Sequence, residues 1–490
     1  MTRWLHRGKR WLYLIHRWIG IATCLLLAMW VISGVVMMYV PYPSLTAGER
    51  MAGLAPIDWS RVKQLPDPSL RADASGHPRG IVLEQGAQEP VWRVRTGTGE
   101  QVISATTGAA LAPIDERAAA RIAGQFGKAS VTRVTPVERD QWTVAGGYDR
   151  FRPLWKAELN GADGRILYVS SVTGAVVQDT LAGERFWNWL GAVPHWLYPT
   201  ILRQDQPLWR QVVLWTSGFC IVAVVSGMWI GILRARFRRR YKGGRITPYR
   251  GWQWWHHVLG LTGGTLLTTW IVSGWLSVDP GRWFASPGLS DAGQAAFAGS
   301  AMVPAIDWAR VGTLPAASAA RRMRLIPAAG RMLLVFEHAD LTKAVADAAT
   351  LAPVRFGTGE LVRRSALLVP GYAIRSAEIL HNADNYWYEA KGSVELPVLR
   401  VIFADPAQTW AHISLETGEM LGDIDARRRT YRWLYDGLHR WDMQGFITRR
   451  PLWDVWMWLW SIAATIVAVS GVVIGWRRLM PRRQSHALAK

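Results

Sequence analysis

Four stretches of the chain, residues 18–40, 211–233, 251–278 and 455–476, contain no Asp, Glu, Lys or Arg. Each reaches the roughly 20 residues that an α-helix needs to cross about 30 Å of hydrocarbon. The expectation is a mainly α membrane protein with four transmembrane helices. The first stretch follows a basic leader, as a secretory signal would. It is longer than a usual signal core and has an internal copy, so it is expected to be retained.

The chain carries a formal charge of +21, which by itself suggests nucleic acid. The placement of the charge excludes that class. Residues 1–17 hold five basic side chains, 234–255 hold eight and 477–490 hold five, with no acid in any of the three. The remainder has 39 basic and 36 acidic residues. By the positive-inside rule these three segments face the cytoplasm, and the two segments of about 170 residues between the helices of each pair lie outside. Trp4, Trp11, Trp209, Trp252, Trp254, Trp255 and Trp453 sit at the ends of the apolar runs, as an interfacial belt would.

The chain also repeats itself, which constrains every assignment. His16-Arg17-Trp18-Ile19-Gly20 with Trp30-Val31-Ile32-Ser33-Gly34 recurs as His256-His257-Val258-Leu259-Gly260 with Trp270-Ile271-Val272-Ser273-Gly274. Ile57-Asp58-Trp59 recurs as Ile306-Asp307-Trp308, and both aspartates are expected to be helix N-caps. Later matches settle at an offset of 244, among them Thr173-Gly174 with Thr417-Gly418, His195 with His439, and Ser226-Gly227 with Ser470-Gly471. Two tandem parallel repeats about an axis along the membrane normal follow. Period-2 runs such as Trp155-Lys156-Ala157-Glu158-Leu159 predict strands, with a helix at 115–126, and so two α+β outer domains. The expected organisation is 1–40 N-terminus and first membrane helix, 41–206 first outer domain, 207–250 second helix and basic loop, 251–279 third helix, 280–450 second outer domain, and 451–490 fourth helix and basic tail.

Of eleven histidines, four occupy matched positions: His16 with His256, and His195 with His439. Ionisable groups at a membrane are costly and mark function. His16 and His256 begin outward-going helices, whereas His195 and His439 precede inward-going ones, so each pair takes one member from each half at one membrane face. Two imidazoles facing each other suit the axial positions of a haem iron, and two pairs suit two haems. The CxxCH signature of covalent attachment is absent. Gly34 follows His16 by 18 residues, five whole turns and about 27 Å along one helix face. Gly274 has the same relation to His256. Gly34 and Gly274 are thus expected to leave room for a porphyrin at the outer pair, Gly227 and Gly471 at the inner pair, and Gly20 and Gly260 one turn from His16 and His256. Close packing by small residues needs no cofactor and is the alternative. Two imidazoles make an incomplete zinc shell. Met37, Met38 and Met443 have no repeat partner and read as apolar filler.

The His-Arg-Trp-Ile-Gly helix start, the Thr-Gly strand ends and the His…Pro-Leu-Trp…Ser-Gly helix ends resemble the PepSY-associated transmembrane proteins of bacterial inner membranes, many of them linked to iron uptake. The likeness runs over nearly the whole chain. It implies haem b held between membrane helices by His16, His256, His195 and His439, PepSY-like periplasmic domains, and reduction of ferric siderophores. His257 beside His256, and Pro194 where the other half has Leu438, depart from the doubled pattern.

No GxGxxG after a strand and no P-loop occurs, so electrons are expected from a separate cytoplasmic reductase or membrane quinol. The acceptor is expected to be a ferric chelate outside. Trp187, Trp189, Trp196, Tyr198, Trp433, Tyr435 and Trp441 are candidates for docking it, with an interfacial belt the plainer role. Arg185 and Arg429 are candidates for pairing haem propionates. The contrasting expectation is a membrane-anchored PepSY regulatory or protein-binding module without redox activity. Transport is disfavoured, since the apolar runs contain no acid or base to bind an ion.

Overall fold

The computed structural model describes residues 2–67, 80–96, 99–299, 303–389 and 394–480. Arg482, Arg483 and Lys490 of the basic tail lie outside the described residues. The chain forms two compact units, each assembled from both halves of the sequence: unit 1 is Met1–Tyr42, Phe186–Ala285 and Arg429–Lys490, and unit 2 is Pro43–Arg185 and Ser286–Arg428.

Unit 1 is helical. Its elements include α1 (Thr2–Tyr39), α2 (Ala192–His195), α3 (Gln206–Arg234), α4 (Trp252–Thr262), α5 (Gly264–Ser277), α6 (Arg432–Arg440, wound as a π-helix) and α7 (Leu452–Leu479). Asp205 caps α3, accepting the Leu208 N–H at 2.9 Å ahead of Pro207, an arrangement suited to a helix start. Leu27, Trp30, Val31, Cys220, Leu267, Ile271, Ala464, Val467 and Ala468 form its apolar core.

Among the described residues, three helices are long and apolar enough to cross a membrane: 34 residues in His6–Tyr39, 29 in Gln206–Arg234 and 28 in Leu452–Leu479. The expected mainly α, four-span fold is therefore corrected. The stretch 251–278 is charge-free, but Gly263 and Gly264 interrupt it, and glycine in a helix interior costs about 1 kcal/mol. It folds as α4 and α5 of 11 and 14 residues, each short of the ~20 a crossing needs.

Unit 2 supplies the second correction, because it makes the chain a mixed helix and strand protein with three sheets. One four-stranded sheet is β4 (Val131–Val137), β5 (Leu154–Leu159), β6 (Ile166–Ser170) and β7 (Val176–Thr180), packed on helix Glu116–Gly127, which Asp115 caps. Another is β11 (Ile374–Leu380), β12 (Val398–Phe403), β13 (Trp410–Ser414) and β14 (Met420–Ile424). Strands β5–β7 and β12–β14 correspond at the offset of 244, down to a bulge at Tyr168/Val169 in one sheet and His412/Ile413 in the other. The Thr-Gly turns that follow put Gly174 at φ +66° and Gly418 at φ +68°, a region glycine enters without penalty.

The third sheet joins both halves. Its antiparallel order is β10-β9-β8-β1-β2-β3, with β1 (Ile81–Gln85), β2 (Pro90–Thr96) and β3 (Gly99–Ser104) from the first half and β8 (Arg322–Ala328), β9 (Arg331–Glu337) and β10 (Lys343–Asp347) from the second. Ile81 pairs with Leu325 and Glu84 with Arg322 across the join. Two separate outer domains are thus replaced by one unit with a shared sheet. Asp58 and Asp307 are N-caps, accepting the Ser60 and Arg310 N–H groups. The turns they start place Trp59 against Phe336 and Trp308 against Trp92, so each half covers strands of the other.

Candidate functional site

All four repeat-matched histidines lie in unit 1, and the structure brings them together in the expected two pairs. The ring centres of His16 and His256 are 6.3 Å apart, and those of His195 and His439 are 6.1 Å apart. A metal–imidazole bond of about 2.0 Å, with about 1.1 Å from nitrogen to ring centre, puts two imidazoles on opposite sides of one ion about 6.2 Å apart. Both pairs have that spacing.

One local construction holds every ring. Each histidine packs against a Ser-Gly dipeptide on another helix and turns Nδ1 toward the carbonyl three residues before that serine. His16 meets Ala223 of α3 at 3.0 Å, His256 meets Val467 of α7 at 3.0 Å, His195 meets Trp30 of α1 at 3.0 Å, and His439 meets Trp270 of α5 at 3.2 Å. A carbonyl only accepts, so each Nδ1 carries the proton and donates it. Each Nε2 is left with its lone pair, and no described residue hydrogen-bonds it. Fixing a ligand's tautomer through its other nitrogen is the usual second half of a metal site. Burial pushes His195 down to about 4 and, together with His195 beside it, His439 down to about 3, so both rings are neutral.

The glycines do not all act as expected. A Cβ on Gly227 would come within 2.6 Å of His16 Cε1, one on Gly34 within 3.1 Å of His195 Cε1, one on Gly471 within 3.4 Å of His256, and one on Gly274 within 3.5 Å of His439. Gly227 and Gly34 make room for the imidazoles themselves, whereas a Cβ on Gly471 or Gly274 would make ordinary contact with its ring. Gly20 and Gly260 differ, because a Cβ on either meets no atom within 4 Å. The serines Ser33, Ser226, Ser273 and Ser470 were missed by sequence reasoning, although their dipeptides repeat. The available signal was their position, one residue before each matched glycine.

His257 is not interchangeable with His256. Its Nε2 donates to the Gly231 carbonyl at 3.0 Å and its ring meets Tyr249. Tyr435 lies 5.4 Å from His439, whereas Gly191, at the corresponding position of the first half, abuts Val36. The aromatic candidates do not form one surface: Trp196 and Tyr198 cluster with Tyr42, Trp441 meets Trp456 edge-on, and Trp187 and Trp189 are exposed. Arg185 is bonded to Thr180 and Gly164 within unit 2. Arg429 lies in the helix Ala426–Tyr431.

Among the described residues no three His, Cys, Asp or Glu side chains assemble into a metal-holding group. An ion that needs three or four protein ligands finds no shell here. Two neutral imidazoles at this spacing fit a metal whose other ligands come with it, as a porphyrin supplies four. Comparison with known proteins returns no matching family model and no matching curated relative.

Proposed function

We propose that this chain is a membrane oxidoreductase that binds two b-type haems, one between His16 and His256 and one between His195 and His439, and passes electrons to a ferric chelate. The observation that carries this reading is the doubled 6.3 and 6.1 Å pairing of rings whose Nε2 lone pairs are unused. The motif resemblance to PepSY-associated transmembrane proteins of the ferric-siderophore reductase type supports it. Haem iron supplies one-electron transfer through its ferric and ferrous states.

The chain's own residues do the rest. The four imidazoles offer neutral nitrogens, and the four helix carbonyls hold them in the coordinating tautomer. Apolar side chains of the unit 1 core separate the two pairs, which are about 27 Å apart along α1 as measured from His16 to Gly34. That layer excludes water and ions while spacing two redox centres between opposite faces. We place the protein as a multi-pass protein of the bacterial inner membrane, with the N-terminus and the basic segment 234–255 in the cytoplasm and the strand-rich segment between α1 and α3 in the periplasm. Electrons enter from a cytoplasmic reductase or quinol and leave to a ferric siderophore. Oxygen-donor chelators suit ferric ion better than ferrous, so one electron loosens the complex.

The deciding experiment is haem stoichiometry of the purified full chain, with transfer in sealed vesicles. About two haems per chain, and reduction of an external ferric chelate by a reductant confined to the side of the basic segments, are expected. A haem-free protein overturns the reading.

A further inference from the structure

The histidine pairing alone gives no role to the four serines. Ser33 Oγ lies 3.1 Å from His195 Nδ1, Ser273 Oγ 3.0 Å from His439 Nδ1, Ser470 Oγ 3.0 Å from His256 Nδ1, and Ser226 Oγ 3.4 Å from His16 Nδ1. Each serine also donates its own proton to a helix carbonyl: Ser33 to Trp30 at 3.2 Å, Ser273 to Trp270 at 3.0 Å, Ser470 to Val467 at 2.9 Å, and Ser226 to Val222 at 2.6 Å, with Ala223 farther at 3.1 Å. For Ser33, Ser273 and Ser470 that carbonyl is the one that accepts the histidine Nδ1–H, and for Ser226 the more distant of its two carbonyls is. With its proton committed there, the hydroxyl presents lone pairs to Nδ1–H.

We propose that Ser33, Ser226, Ser273 and Ser470 are positioning residues that give each ligand imidazole a second acceptor for Nδ1–H, and so set the ring plane and the electron donation of Nε2. The proposal rests on the reading of the histidines as haem ligands. Its physical content is directional. Each acceptor drawing on Nδ1–H makes Nε2 more basic, a more basic axial ligand favours the ferric state, and the haem potential falls. Removing the hydroxyl raises it. Because its Oγ is the most distant, Ser226 has the smallest influence. The competing role is ordinary helix chemistry: a serine hydroxyl bonded back to its own helix is satisfied without a ligand and tunes nothing.

The test uses the full chain in lipid nanodiscs, with S33A, S273A, S470A and S226A compared by haem content, equilibrium redox titration and electron paramagnetic resonance. S33A and S273A should shift the same haem to higher potential, S470A the other, and S226A should give the smallest shift. The corresponding threonine variants keep the hydroxyl and should restore the potential. Unchanged potentials and spectra in all four haem-replete alanine variants overturn the proposal. If an alanine variant loses its haem, its threonine variant decides. Haem kept at the wild-type potential supports the hydroxyl's role, whereas a shifted potential, or loss from both variants, refutes it in favour of packing. A wild-type protein without haem refutes the underlying reading instead.

Discussion

Gly227 of α3 and His16 of α1 touch so closely that a methyl group on the glycine would lie 2.6 Å from His16 Cε1. Overpacking of this kind costs about 1–3 kcal/mol. Gly227→Ala is therefore expected to weaken inner haem affinity roughly 5- to 150-fold by that energy. Gly274→Ala, with 3.5 Å to His439, should be nearly neutral. Pyridine haemochrome assays of the two variants check the order, and equal effects would contradict the contact.

His195→Ala and His439→Ala should each remove about one haem of two and spare the other, since both belong to the same pair. His257→Ala should leave haem content unchanged, because its Nε2 is committed to the Gly231 carbonyl. Loss of haem from H257A but not from H256A would reassign the inner ligand.

The two pairs differ in ring orientation, with an interplanar angle of 40° for His16 and His256 and 68° for His195 and His439. Imidazole planes nearer to perpendicular leave the iron π orbitals closer to degenerate and make the ferric signal more anisotropic. The oxidised protein should show two low-spin signals, and His195→Ala should abolish the one at larger maximal g. If it abolishes the other, the angles are not those of the loaded site.

In unit 2, His412 of β13 accepts the Arg400 Nε–H at 2.9 Å and stacks on Trp387, while Asp384 holds the same guanidinium. Burial, then the Arg400 charge, pushes His412 down to about 4. The folded state thus binds its proton less readily than the unfolded chain, whose histidine titrates near 6.5. The resulting stability is present above about pH 6.5 and is lost as pH falls toward 4. A shift of this size corresponds to about 3 kcal/mol. His412→Gln should flatten the pH dependence of unfolding between pH 4 and 6.5, and an unaltered slope would assign it elsewhere.

The histidine pairing was legible because a repeat sorts eleven histidines without any knowledge of packing. The role of the serines was not. Ser33 reads as part of a small-residue dipeptide until His195 is seen lying against it. Helix phase puts Gly34 at the depth of the outer pair, but it gives the height of a position and not that the His195 imidazole lies against it. The break between Thr262 and Gly264 escaped a reading by charge, which averages over glycines. The β1–β8 join was hidden for another reason: Ile81 and Leu325 lie far apart in the chain, and nothing local to either strand names its partner.

That join sets a condition on how the duplication is used. Severing the chain in the loop between α3 and α4 would leave β1 on one fragment and β8 on the other, each a bare edge, with Trp59 and Trp308 stripped of the strands they cover. Each copy alone would carry an unpaired strand edge, which the other copy covers. A gene encoding one copy alone would yield a polypeptide whose obvious mate is its own duplicate.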